Sequence, residues 1–280
     1  MTEPVALTHE ESDPLVQVKL EQGLMTIRLG SVHNDFLWSL EMMDAFCDLI
    51  QSARENSQVR VLVIDSVGVD FCKGLLTTDF SQGSIKPDAK VRAILDRFEQ
   101  CCHRDLALMP QPVVAKVRGV CHFAGIQLLE GCDVVFAEEY AQFVIQEEEV
   151  HQLTRTFEPA SHLFHGVADA GVKRCVERSP KTFDTQEAER IGLVTLSFMS
   201  EVLTQEVLSL TTSFCEKDAL ALQFTKETIA HVPSMTWDAS VNFTAAKFAE
   251  LKSKQAGETS ARAAAVASFL AGKTKPGKGV

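Results

Sequence analysis

Apolar residues near the start of the chain alternate with polar ones, in the pattern of strands that are buried on one face. The alternation stops at Glu21 to Gly23 and then resumes. Two alternating runs with a short polar break predict a β-hairpin. The alternating apolar positions are Val16, Val18 and Leu20 in the first run, and Met25, Ile27 and Leu29 in the second.

Between residues 34 and 137, helical spacing of apolar positions alternates with short continuous apolar runs. Such runs predict buried strands, and their alternation with helices predicts an α/β layered core. The predicted elements are a helix from about Leu37 to Ala53, a strand from Val59 to Ile64, a turn from Asp70 to Leu76, a mobile polar segment from Thr77 to Pro87, a helix from about Val91 to Met109, a strand from Val113 to Val117, a short helix from Ile126 to Gly131, and a strand from Asp133 to Ala137.

The strand signal fades after Glu149. Gly192 is a candidate cap for a helix that ends near Leu193, and Val194 to Phe198 predicts one last strand. Helical patterns then cover about 201–216, 218–231, 235–255 and 260–271. The predicted organisation is a flexible N-terminus at 1–14, an α/β core at 15–200, a helical region at 201–272 and a basic tail at 273–280.

Composition excludes several classes of function. The 280 residues are 45% hydrophobic and carry a net charge of −11, without a basic stripe, so nucleic-acid binding is not expected. No apolar run reaches transmembrane length, and the acidic start lacks the pattern of a secretory signal. The eight cysteines, which form no CxxC pair, predict reduced buried thiols in a cytosolic or organellar protein, with a cytoplasmic location preferred, rather than a disulfide framework or a metal site.

The stretch from Pro112 to Glu147 holds the candidate chemistry. A buried strand ends at Gly119, a small-residue turn at Phe123-Ala124-Gly125 follows, and then a short apolar helix begins. This arrangement places backbone N–H groups at a helix N-terminus, where they can hold an oxyanion. Gln127 lies on the helix, and the run Glu147-Glu148-Glu149 follows the next strand.

The chain resembles the crotonase superfamily, the enoyl-CoA hydratase and isomerase family, from about Val16 to Lys273. The resemblance rests on the order and spacing of the opening hairpin, "VRVLVIDSVGVDFCKGLL", "PVVAKVRGVCHFAGIQLLEGCDVVFAEEYAQF", "TFDTQEAERIGLV" and "ASFLAGKTKPG". It implies a spiral of ββα units, a helical C-terminal region that forms a homotrimer or hexamer, and a CoA or acyl-carrier thioester as ligand. No separate cofactor is implied, because CoA or phosphopantetheine is part of the substrate.

The resemblance also implies site residues. The backbone N–H groups of Leu75 and Ala124 would hold the thioester oxygen as an enolate, with Gly74 and Gly125 beside them. Of the family's two acidic positions, the second is Glu147, whereas Gln127 occupies the first. Members with a single glutamate at the second position include Δ3-Δ2-enoyl-CoA isomerases, whereas hydratases use both carboxylates.

Other residues around the turn have a functional and a structural interpretation. Lys73 is a candidate partner for a CoA phosphate, or a surface charge, and His122 is a candidate pocket residue, or a satisfied loop histidine. Glu147 is preferred as the general acid or base, whereas Glu148 and Glu149 are expected to be solvated, although a one-residue shift would exchange their faces. Gln127 is a candidate hydrogen-bond donor to substrate or water, and a structural role for it is equally open.

The leading hypothesis is an acyl-thioester enzyme of fatty-acid or polyketide metabolism that isomerises a double bond with Glu147. Hydration, dehydration or decarboxylation of a thioester is the enzymatic alternative. A non-catalytic protein of the same fold that binds a thioester or a protein partner is the alternative from another class, because the glycine turn is altered and the first acid is missing. The resemblance leaves the acyl chain, and CoA or carrier protein, open.

Overall fold

The computed structural model describes residues 15–30, 36–80, 89–146, 149 and 181–256. The chain divides into two compact units, one up to Glu216 and one from Lys217 onward. The predicted flexible N-terminus, most of the predicted polar segment before Pro87, the predicted helix 260–271 and the basic tail lie outside the described residues. Glu147 lies outside them as well.

The predicted hairpin is present and forms one edge of the main sheet. Strands β1 (Val16–Glu21) and β2 (Leu24–Leu29) pair antiparallel, with Val18 opposite Ile27. Gly23, at φ +88°, closes the turn in the left-handed region that glycine adopts without strain. The alternation that predicted the hairpin therefore reflects one face of β2 turned toward the core.

A six-stranded sheet organises the first unit. Besides β1 and β2, its strands are β3 (Val61–Ser66), β4 (Val113–Val117), β6 (Val134–Glu138) and β9 (Leu196–Phe198). Their order is β1-β2-β3-β4-β6-β9, and every pair after the first is parallel. Every residue of β3 is buried, because apolar clusters cover both faces of the sheet. The predicted α/β core is confirmed.

A second sheet of three strands was not predicted. Strand β5 (Val120–His122) pairs parallel with β7 (Gln142–Ile145), which pairs antiparallel with β8 (Lys181–Asp184). Each strand is only three or four residues long, so the sequence shows no sustained alternation there. The pairing brings the start of the next helix beside the chain that follows β7.

The helices of the first unit are α1 (Leu40–Glu55), α2 (Thr77–Phe80), α3 (Ala89–Gln100), a π-helical turn (Cys101–Asp105), α4 (Leu106–Leu108), α5 (Phe123–Glu130), α6 (Thr185–Arg190) and α7 (Ser200–Glu216). The longer helices match the predicted ones in order but not always in bounds, whereas α2 lies where the mobile polar segment was predicted to begin. The predicted helix 91–109 is therefore interrupted by π geometry, which frequently marks functional sites. Gly192, at φ +81°, follows α6 as its predicted cap.

Two predicted helix starts are wrong. Helix α1 begins at Leu40 rather than Leu37, because Trp38 pairs with Leu75 in an isolated parallel bridge and Ser39 caps the helix through the Met42 N–H. Helix α5 begins at Phe123 rather than Ile126. Phe123, Ala124 and Gly125, which the sequence predicts as a turn before the helix, form its first turn.

Residues 217–256, the described part of the second unit, form helices. They are α8 (Ala219–His231), a 3₁₀ turn (Val232–Ser234) and α9 (Trp237–Ala256). Asp218 caps α8 by accepting from the Ala221 N–H, and Lys247 pairs with Glu227 at 2.7 Å. The predicted helices 218–231 and 235–255 are confirmed to within a few residues.

Candidate functional site

The loop before α2 is held between two other segments by backbone hydrogen bonds. On one side, Trp38 donates to the Gly74 carbonyl at 2.8 Å and accepts from the Leu76 N–H at 2.9 Å. On the other side, Cys72 donates to the Val120 carbonyl at 3.0 Å. Successive N–H groups of an extended chain point to opposite sides. The N–H of Leu75 therefore points away from Trp38.

Two glycines allow this loop to approach its neighbours. Gly119 has φ +55°, and a Cβ there would lie 2.4 Å from the Asp70 carboxylate oxygen Oδ1, so only glycine fits. Gly74 has φ +106°, which disfavours any other residue. Gly119 thus lets the chain before β5 approach Asp70, and Gly74 lies beside Glu149.

The start of α5 packs directly on the loop. A Cβ on Gly125 would lie 2.7 Å from the Cβ of Cys72 and 2.8 Å from the Sγ of Cys121. The single glycine left in the predicted small-residue turn is therefore required for the backbone of α5 to lie against Cys72. This contact places Ala124, in the first turn of α5, across from Gly74.

The Ala124 N–H already holds an oxyanion. It donates to Oε1 of Glu149 at 2.9 Å. The same oxygen would lie 3.3 Å from a Cβ built on Gly74. A carboxylate oxygen thus occupies the space between the first turn of α5 and the Gly74 loop, which is where the two predicted donors were expected to converge.

The expectation that Glu149 is solvated is wrong. Glu149 is only 5% exposed, because its side chain lies against α5 instead of solvent. Among the described residues, its Oε2 accepts no hydrogen bond, and the His122 Nδ1 lies 3.5 Å away. Nothing in the acidic run distinguished Glu149 from its neighbours, since its burial depends on the pairing of β5 with β7.

The other predicted site residues are placed as follows. His122 ends β5 and immediately precedes α5, with its imidazole toward Glu149. Lys73 forms an ion pair with Asp70 at 3.2 Å. Gln127 lies on α5 and is 3% exposed, one helical turn after Ala124. Glu147 lies outside the described residues, so its proximity to Gln127 stays a prediction.

The site is a low-dielectric environment in which buried thiols stay neutral. Burial raises the pKa of the Cys72 thiol well above its usual range, and the negative charge of Glu149 raises it further. Burial likewise raises the pKa of Cys121. A thiol must ionise to act as a nucleophile. We therefore assign Cys72 and Cys121 to packing rather than to covalent chemistry.

A second buried carboxylate lies at the far end of α5. Glu130, whose side chain is 3% exposed, is 3.2 Å from the Nδ1 of His103 in the π-helical turn. Burial raises the pKa of Glu130 above its ordinary value of 4.5, and the neighbouring His103 imidazole opposes that rise. Within the described part of the chain, no cluster of His, Cys, Asp and Glu could hold a metal ion.

We expect stability to depend on pH through Glu130. A carboxyl group whose pKa is raised on folding favours the folded state fully below its unfolded pKa, and this contribution is lost as pH rises through the folded pKa. Glu130→Gln should therefore gain in melting temperature relative to the native chain as pH rises from about 4.5 to 8. Thermal unfolding at fixed protein concentration measures this difference.

The exposed Glu139→Gln is the matched control and should show no such trend. His103→Ala, in a chain that keeps Glu130, should increase the loss of melting temperature between about pH 4.5 and 8. This variant removes the group that opposes the rise in the Glu130 pKa. If the difference in melting temperature between Glu130→Gln and the native chain stays constant from about pH 4.5 to 8, Glu130 is not the source of the pH dependence.

The described helices include none that is long and apolar enough to cross a membrane.

The family model described as enoyl-CoA hydratase/isomerase matches residues 19–266 of this chain.

Similar proteins agree with this match. The chain is 25% identical over 242 residues to the mitochondrial enoyl-CoA hydratase domain-containing protein 3 of Danio rerio, covering 82% of this chain and 78% of that protein. It is 23% identical over 224 residues to the peroxisomal Δ(3,5)-Δ(2,4)-dienoyl-CoA isomerase of Arabidopsis thaliana, covering 74% and 77%. The crystal structure of enoyl-CoA hydratase from Bacillus anthracis superposes with a TM-score of 0.78 at 18% identity, covering 95% of this chain and all of that one.

The structural likeness shows the fold, and the family model extends over nearly nine tenths of the sequence. The expectation of an isomerase- or hydratase-like enzyme is confirmed at the level of the family. The chain belongs to the enoyl-CoA hydratase/isomerase family.

Proposed function

We propose that this protein acts on an acyl thioester of CoA or of an acyl-carrier protein and stabilises its enolate with the N–H groups of Leu75 and Ala124. One observation carries the proposal: the Ala124 N–H holds a carboxylate oxygen in the space beside Gly74. A carboxylate oxygen is a negatively charged acceptor, as an enolate oxygen is. Removing one such donor typically costs about 3–4 kcal/mol of transition-state stabilisation.

The simplest reaction for this site is migration of a double bond. Glu147 would take a proton from C2 of a 3-enoyl thioester, which gives a dienolate whose oxygen is held by the two N–H groups. The proton is then returned at C4, so the double bond moves to C2–C3 and no atom is gained or lost. Gln127 supports this reaction rather than hydration, because an amide does not transfer a proton as a second carboxylate would.

The proposal requires no cofactor beyond the substrate's own CoA or phosphopantetheine. Hydration, dehydration or decarboxylation is the alternative chemistry for the same oxyanion site. The relatives bear the names of both an isomerase and a hydratase-domain protein. Isomerisation, hydration and decarboxylation therefore have to be distinguished by the products that they form.

Incubation with a panel of acyl-CoAs, analysed by liquid chromatography and mass spectrometry, tests the proposal. Isomerisation gives a new peak of unchanged mass, hydration adds the mass of one water, and decarboxylation removes the mass of CO₂. A new peak of unchanged mass from a 3-enoyl-CoA supports the proposed reaction. Hydration as the main product would replace it with the alternative.

A non-catalytic thioester-binding protein is a second candidate, favoured by Gln127 at the first acidic position and by the carboxylate within the site. Such a protein would be stabilised thermally by acyl-CoA and would convert none of the panel. Stabilisation without conversion would therefore support binding alone.

We also propose that the chain assembles as a homotrimer or hexamer through its C-terminal helices. Helix α9 exposes three large apolar side chains, with Trp237 80% exposed, Phe248 53% and Val241 50%. With 3.6 residues per turn they lie within about 40° of one another around the helix. Exposed apolar stripes of this kind usually mark interfaces.

Trp237→Asp combined with Phe248→Asp should raise the concentration at which the assembly dissociates by at least about tenfold, which corresponds to about 1.4 kcal/mol. Light scattering over a dilution series measures this change. Asn242→Asp adds one negative charge on a different face of α9 and should leave the assembly intact. A native chain that is monomeric at micromolar concentration would contradict the proposal.

A further inference from the structure

The carboxylate of Glu149 occupies the position that the proposed function reserves for the thioester oxygen. Its Oε1 accepts from the Ala124 N–H at 2.9 Å and lies beside Gly74. The N–H of Ala124 cannot serve Glu149 and a thioester oxygen with a full hydrogen bond to each. The two oxygens are therefore alternative occupants of one site.

The contact is buried but only partly satisfied. Glu149 is 5% exposed, and its Oε2 accepts no hydrogen bond from the described residues. The His122 Nδ1 is the nearby polar group, at 3.5 Å from Oε2. Burying a carboxylate without a full set of donors is costly. A carboxylate held by one backbone donor can be exchanged for another ligand more readily than one with both oxygens bonded.

We propose that Glu149 is an internal ligand of the oxyanion site that competes with the acyl thioester. This inference rests on the proposed function, because it requires that the thioester oxygen bind at Ala124. It assigns Glu149 an autoinhibitory contact and leaves the proton-transfer role with Glu147. The apparent affinity for substrate is then reduced by the fraction of molecules in which Glu149 fills the site.

Binding of butyryl-CoA, which has no double bond to move, tests the competition by isothermal titration calorimetry. Glu149→Ala should bind butyryl-CoA about 5- to 150-fold more tightly than the native chain, the range typical of coupling between two ligands. Free CoA has no thioester carbonyl and should bind both proteins equally. Glu139→Ala, the same change at an exposed position, should match the native chain.

The contact itself is tested without any thioester. Labelling with carbonyl-¹³C phenylalanine and ¹⁵N alanine selects the amides of Ala124, Ala137 and Ala249, which are the alanines that follow phenylalanine in the chain. In Glu149→Ala the Ala124 amide should shift upfield, because it loses a charged acceptor, whereas Ala137 and Ala249 should not move. An unmoved Ala124 amide would overturn the inference directly.

The outcomes separate the inference from the proposed function. If the native chain and Glu149→Ala bind butyryl-CoA equally, the inference fails and the proposed function stands. If neither binds it, the thioester assignment fails and the competition fails with it. If Glu149→Ala loses turnover of a 3-enoyl-CoA as Glu147→Gln is expected to, Glu149 is a catalytic residue and not a competitor.

Discussion

Glu147→Gln is expected to lower turnover of the thioester substrate by about 10²–10⁴-fold, the usual contribution of a general acid or base. Glutamine fills nearly the same volume as glutamate but cannot shuttle the proton between carbons, so stability should change little. Steady-state kinetics on the best substrate from the acyl-CoA panel, together with thermal unfolding, measure both effects.

Glu139→Gln makes the same change at an exposed position and serves as the control for Glu147→Gln. Intact activity in Glu147→Gln would show that Glu147 is not the catalytic group. The non-catalytic interpretation, or one with another base, would then replace the proposed mechanism.

The companion change, Gln127→Glu, tests whether the absence of a carboxylate at this position favours isomerisation over hydration. Gln127 is 3% exposed on α5, one turn after Ala124. A carboxylate there would restore the pair that water addition requires, and two neighbouring like charges raise one of the two pKa values. The ratio of hydration to isomerisation of an enoyl thioester should therefore increase. Efficient hydration by the native chain would contradict the argument.

Gly74→Pro is expected to reduce turnover or acyl-CoA binding by about 10²–10³-fold, the effect of losing an oxyanion donor. Proline requires φ near −65°, whereas Gly74 has φ +106°, so the loop must change and carry the Leu75 N–H with it. Kinetics and calorimetric binding of butyryl-CoA measure the loss.

Gly74→Ala is the milder variant if the proline protein does not fold. Its Cβ would lie 3.3 Å from the oxygen of Glu149 that occupies the site. Gly192→Ala imposes the same positive-φ strain, at φ +81°, where the added atom meets nothing within 4 Å. Equal kinetics in Gly74→Ala and Gly192→Ala would show that strain, and not the site, explains any loss.

Elements that bury a whole face or both faces were predictable from the sequence. The hairpin and the fully buried β3 were predictable because their apolar spacing records burial along several residues, and the end of α6 was predictable because Gly192 is a typical helix cap. The three-residue β5 and the four-residue β7 were missed, since such short strands exist only through pairing with each other. The start of α1 was misplaced because Trp38 is apolar but pairs with Leu75 as a bridge.

Part of the candidate site was likewise predictable from the sequence, and part of it was not. The strand, the small residues before Gln127 and the following helix predicted an oxyanion site, and the family resemblance implied Leu75 and Ala124 as its donors. The sequence could not show that Glu149 contacts the Ala124 N–H, because three consecutive glutamates have the same local pattern.

The sequence by itself determined the family, the α/β core and the residue types available for thioester chemistry, because these follow from apolar periodicity and from motifs of fixed spacing. Only the tertiary structure decided that Glu149, and not solvent or a distant group, fills the space between Gly74 and Ala124. That contact joins residues 25 positions apart in the chain. It depends on the close packing of Gly125 against Cys72, which brings the helix to the loop and which no local pattern records.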